Sequence, residues 1–69
     1  MEEIFFLVEE DPIQGYTARA LGQSIFTEGD TLKELKINIK EAILCHFDDP
    51  NDVPKIARLH FVKDEVLAL

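Results

Sequence analysis

The chain has 69 residues and a formal net charge of −7, with 14 acidic side chains against 7 basic ones. Hydrophobic residues make up 46% and charged residues 30%, which excludes a disordered chain and leaves an ordinary globular one. No run approaches the roughly 18 apolar residues of a membrane span, and the negative charge opposes binding to phosphate backbones.

Residues 3–9 carry Ile4, Phe5, Phe6, Leu7 and Val8 without a polar interruption. In a strand such a run is apolar on both alternating faces, so it predicts a central strand buried on both sides. Asp11, Pro12, Ile13, Gln14 and Gly15 follow. Proline presets φ and glycine supplies positive φ, so a hairpin turn is expected there. Residues 16–20 alternate, with Tyr16, Ala18 and Ala20 on one face and Thr17 and Arg19 on the other, the period of a second strand. Gly22 and Gln23 turn the chain again, and residues 24–28 form a short third strand closed by Gly29.

Thr31 and Glu34 have the spacing of a capping box, in which the hydroxyl accepts a backbone N–H and the carboxylate returns to another. Leu32, Leu35, Ile39, Ala42, Ile43 and His46 recur at helical spacing as a stripe for the sheet, with Glu34, Asn38 and Glu41 on the opposite side. Asp48, Asp49, Pro50, Asn51, Asp52, Val53 and Pro54 end the helix, because proline cannot continue it and carboxylates oppose the dipole at its C-terminus. Residues 55–63 alternate again, Ile56, Arg58, His60 and Val62 against Ala57, Leu59 and Phe61, before an apolar tail of Val66, Leu67, Ala68 and Leu69.

The order β-β-β-α-β describes an α+β fold in a single domain, residues 1–69. A helical crossover brings the fourth strand beside the first in parallel, giving sheet order 3-2-1-4. One helix covers one sheet face, and a chain this small buries only about 60% of its unfolded surface. A lone Cys45 permits no internal disulfide. A homo-oligomer, dimer or larger, is therefore expected, with the tail residues Val66, Leu67 and Leu69 at its interface. The acidic start Met1, Glu2, Glu3 is unlike a signal peptide, so the expected location is cytoplasmic.

An apolar first strand ending in Glu9, Glu10, Asp11, then Gly15, Tyr16, Thr17, Ala18, then Gly29, Asp30, Thr31, Leu32, with Asn38 to Ile43 reading Asn-Ile-Lys-Glu-Ala-Ile, resembles the HicB antitoxins. The resemblance covers about the first two-thirds of the chain as a whole-domain fingerprint. It implies a partial RNase H-like fold and oligomerisation. It also implies neutralisation of a HicA toxin, a small basic mRNA-cleaving protein whose RNA-binding face the antitoxin occludes. Longer members carry a C-terminal DNA-binding module. No helix-turn-helix or ribbon-helix-helix segment follows Leu69, so direct DNA binding is not expected.

Several residue groups invite chemistry and are weighed against plainer roles. Glu9, Glu10 and Asp11 at the end of the first strand could hold a divalent ion, as nucleases of the RNase H fold do, which leaves a degenerate metal-dependent nuclease as an alternative. The plainer role is a solvated hairpin end. Asp48, Asp49 and Asp52 lack the glycine and glutamate of a calcium loop, having Val53 and Leu59 at those places. Cys45, His46 and His60 are few for zinc, and adjacent helical residues diverge by about 100°. No catalytic residue, metal or cofactor is expected.

The expected partner surface is instead the acidic set Glu9, Glu10, Asp11 and Glu28, complementary to a basic toxin. To it we add Ile37 and Leu44, an apolar pair one heptad apart on the outer side of the helix, among the solvated lysines Lys33, Lys36 and Lys40. The competing reading is a solitary HicB-like homo-oligomer that has no toxin partner.

Overall fold

The computed structural model describes residues 2–13 and 15–69. Its elements are β1 (Glu3–Asp11), β2 (Gly15–Ala20), β3 (Phe26–Gly29), α1 (Leu32–His46), a 3-10 turn (Pro50–Asp52) and β4 (Ile56–Val62). They form one four-stranded sheet in the order β3-β2-β1-β4, the expected α+β arrangement. β1 pairs antiparallel with β2 from Phe6↔Ala20 to Asp11↔Gly15, and parallel with β4 from Glu3↔Ile56 to Glu9↔Val62. β2 pairs antiparallel with β3 from Tyr16↔Gly29 to Arg19↔Phe26.

The hairpin after β1 is tighter than the sequence suggests. β1 runs on to Asp11, whose Oδ1 accepts the Ile13 amide at 2.8 Å, and Gly15 takes φ +85°. These are the Asx and positive-φ devices of a short turn. Gln14, which the sequence reading placed in this turn, lies outside the described residues. β3 sits later than expected, at 26–29, while Ile25 before it is buried in the core.

The core is made by Ile4, Phe6 and Val8 of β1, Ala18 and Ala20 of β2, Ile25, and Leu35, Ile39 and Ile43 of α1. Burying each of the three helix side chains stabilises by roughly 1.5–3 kcal/mol. Small residues decide where the helix lies. Ala18 and Ala20 stand opposite Val8 and Phe6, so α1 settles over β2 and β3. At Gly29 it comes so close that a Cβ there would stand 2.6 Å from the Leu35 amide nitrogen and 2.8 Å from its Cα. β4 lies beyond this cover: on the helix side Leu59 is half-buried, and Ala57 and Phe61 are exposed.

The helix starts as expected, with Thr31 Oγ1 accepting the Glu34 amide at 3.1 Å. Among the described residues no bond returns from the Glu34 carboxylate, so half of the capping box forms. Phe47 ends the helix, donating its N–H to the Ile43 carbonyl at 3.3 Å. In the following loop Asp49 Oδ1 accepts the Asn51 amide at 2.9 Å. This aspartate serves the chain reversal that the sequence places here.

Three expectations are corrected. β1 is central, but it is not buried on both sides, because one helix covers one face: Phe5 is 45% exposed. His46 leaves the buried stripe; it lies at the last turn and is exposed, with its ring Nε2 3.2 Å from Gln23 Oε1. Half-buried Phe47 packs against the core instead. Asn38 does not face away from the sheet: its side-chain amide donates to the Glu28 carbonyl at 2.7 Å, tying α1 to β3.

Gly29→Ala is expected to lower unfolding stability in urea by about 1–3 kcal/mol, the usual cost of forcing atoms into a packed site. The obstacle is backbone of α1, which cannot swing aside as a side chain would. A loss below about 0.5 kcal/mol, the range of a surface substitution, would show that the helix lies farther from β3 than described.

Candidate functional site

Paired residues in adjacent strands point to the same face, so the register maps the sheet face that the helix leaves open. One row across it reads Phe26, Arg19, Leu7, His60, and the next reads Glu28, Thr17, Glu9, Val62. Phe5 lies beside Arg58, and Glu3 beside Ile56. Apolar and basic side chains alternate across this face: half-buried Leu7 lies between Arg19 and His60, and the exposed rings of Phe5 and Phe26 lie beside Arg58 and Arg19. Arg58 leans across to Glu3, its Nε donating to Oε1 at 3.0 Å. Exposed pairs of this kind contribute about 0–1 kcal/mol and hold orientation more than stability.

The acidic residues singled out from the sequence divide between two faces. Glu9 and Glu28 flank Thr17 on the open face, and Asp11 lies two residues further along β1 on that same face. With strands about 4.8 Å apart, the backbones of Glu9 and Glu28 are separated by roughly 10 Å. Glu10 points to the helix side, where it is opposite Tyr16. The negative charge of Glu10 raises the Tyr16 pKa, aided by partial burial and by a hydrogen bond between the two side chains; a phenolate beside a carboxylate is disfavoured.

The helix pair is placed as expected. Ile37 is 49% and Leu44 65% exposed. Leu44 also forms one wall of a groove between the C-terminal half of α1 and the start of β4, together with Val53, Pro54 and Ala57, with Lys40 and Lys55 at its rim. Periodicity places Lys40 on a solvated face and Val53 and Pro54 in a helix-ending loop, and it says nothing about which loop meets which helix. The tail residues Val66, Leu67 and Leu69 are exposed and lie outside any strand or helix.

Cys45 and His46 lie on α1, whereas His60 stands on the open sheet face. Among the described residues no three His, Cys, Asp or Glu side chains gather as a metal site. Likewise, no helix among them is long and apolar enough to cross a membrane.

Two relatives resemble the chain over most of its length. A UPF0150 protein of Archaeoglobus fulgidus is 49% identical over 57 residues, which is 83% of each chain. A UPF0150 protein of Thermotoga maritima is 43% identical over 68 residues, 99% of this chain and 94% of the relative. No family model matches the chain. No solved structure matches it either.

The Glu10–Tyr16 pair has a spectroscopic signature. Titration of phenolate absorbance is expected to give the single tyrosine an ionisation above the ordinary tyrosine value, and Glu10→Gln should move it back down. Equal midpoints for the two proteins would mean that the side chains are apart in solution.

Proposed function

The chain belongs to the UPF0150 family, and we propose that it is a non-catalytic protein-binding domain of the HicB antitoxin type. In this reading it acts in the cytoplasm, where the acidic end of its open sheet face covers the RNA-binding surface of a small, basic, HicA-like mRNA-cleaving toxin.

The observation that carries the reading is the pairing of Glu9 and Glu28 around Thr17, with Asp11 on the same face. A basic partner meets the carboxylates at this end of the face, while Arg19 and Arg58 farther along it fix which way round the partner docks. The net charge of −7 supplies the long-range field that steers such an encounter. Screening confines direct attraction to about 8 Å at physiological salt. Glu9 and Glu28 therefore act on residence time as well as on arrival, while carboxylates on the other face act on arrival alone.

A second reading is favoured by a different observation. β4 is a seven-residue strand at an open sheet edge, followed by exposed Val66, Leu67 and Leu69. These features suit a homo-oligomer that needs no toxin.

The test is co-expression with the product of an adjacent gene encoding a basic chain of roughly 60–80 residues, the size of one small domain. A stable complex is expected. Glu9→Lys combined with Glu28→Lys should slow association about tenfold or more and shorten residence, while Glu10→Lys, on the other face, should leave residence time unchanged. Failure to form any complex, or equal effects from both faces, removes the assignment.

A further inference from the structure

The two edges of the sheet are treated differently. β3 has four residues, lies under α1, and has its Glu28 carbonyl occupied by the Asn38 amide. β4 has seven residues, contains no proline, and carries no charge on its helix side. Natural proteins blunt exposed edges with short strands, prolines, charges or a cover; of these β4 has one charge, Arg58, which is drawn inward across the sheet to Glu3.

We infer that two copies of this chain pair through antiparallel β4 edges about a two-fold axis, each laying its C-terminal tail along the other's groove between α1 and the start of β4. The register follows from side-chain size. Centring the pair on Leu59 uses all seven residues of β4 and sets exposed Phe61 opposite small, exposed Ala57 of the second copy. It also sets Ile56 opposite Val62 on the other face. Carried past the strand, the same register sets Asp64 opposite Pro54 and Glu65 opposite Val53.

Charge acts both ways in that placement: the register sets Lys63 opposite Lys55 of the second copy, a repulsion that the carboxylates directly after Lys63 offset. The groove wall of Leu44, Val53, Pro54 and Ala57 is apolar, and the rim carries Lys40 and Lys55. The tail offers Asp64 and Glu65 followed by Val66 and Leu67, an acidic step and then an apolar one. Lys55 has only a loose contact with Glu2, 3.8 Å long between side chains more than three-quarters exposed, and it exchanges that contact at little cost.

Reach selects the second copy over the tail's own groove. The groove is at the start of β4 and the tail leaves its end, about 20 Å away at ~3.3 Å per residue. Residues 63–69 span at most about 25 Å fully extended. A reversal takes about four of them, and the remaining three cover only about 10 Å. In the second copy the antiparallel pairing delivers the tail to the groove with no reversal. The inference stands apart from toxin binding, because its experiment contains no partner protein.

Sedimentation of the purified chain across a concentration series tests it. The wild type is expected to be dimeric at high micromolar concentration, and a chain ending at Lys63 should dissociate at least tenfold more readily. Lys40→Glu with Lys55→Glu, and separately Asp64→Lys with Glu65→Lys, should each weaken the dimer. All four substitutions together should recover part of the loss, an outcome that a misfolded variant cannot produce. A monomeric wild type, a truncated chain that dimerises as tightly, or a four-fold variant no tighter than either double variant would each overturn the proposal.

Discussion

The close approach of α1 to β2 and β3 governs the rest of the molecule. Ala18, Ala20 and Gly29 remove the volume that would otherwise hold the helix off the sheet, and Leu35, Ile39 and Ile43 fill the space that remains. Because the helix has one position, its cover is one-sided and off-centre. The strand most apolar in sequence, β1, is buried on a single face, and on the helix side of β4 Leu59 is half-buried while Ala57 and Phe61 are exposed. The open sheet face, the exposed edge and the groove beside Leu44 all follow from that offset.

Much of this architecture is legible in the residues. Periodicity and turn chemistry mark three strands, a capped helix and a last strand, and the uninterrupted apolar run of β1 points to its central place. What periodicity cannot convey is how far a cover extends. Phe5 and Leu7 read as buried because their neighbours are apolar, yet burial depends on whether another layer lies above them, and one fifteen-residue helix cannot shelter both faces. Asn38 had a weaker signal. It is three residues after Leu35 and one before Ile39, so it borders the buried stripe, and its polar side chain meets the Glu28 carbonyl.

The candidate surface was legible in composition and less so in arrangement. Glu9, Glu10 and Asp11 look like one cluster when written in a line. Strand alternation sends Glu10 to Tyr16 and leaves Glu9 with Asp11, and the β2–β3 register sets Glu28, grouped with them already from the sequence, across Thr17 from Glu9. His46 misled for a related reason: its helical phase matches the stripe, but at the final turn its ring meets Gln23 instead of the core.

The pairing of β1 with β4 joins residues 53 positions apart, as in Glu3 with Ile56, whereas β1–β2, β2–β3 and β3–α1 join near neighbours in the chain. Closing so long a loop is slow compared with local assembly. Among the described residues the nine buried hydrophobic side chains all precede position 44, so β4 itself contributes backbone pairing with β1 and half-buried Leu59 at the border of the core. As an edge strand outside the helix cover, β4 of the monomer opens before the strands beneath α1. In amide hydrogen exchange at concentrations where the chain is monomeric, protection of β4 should be lost before that of α1 and β2, and dimerisation should restore it.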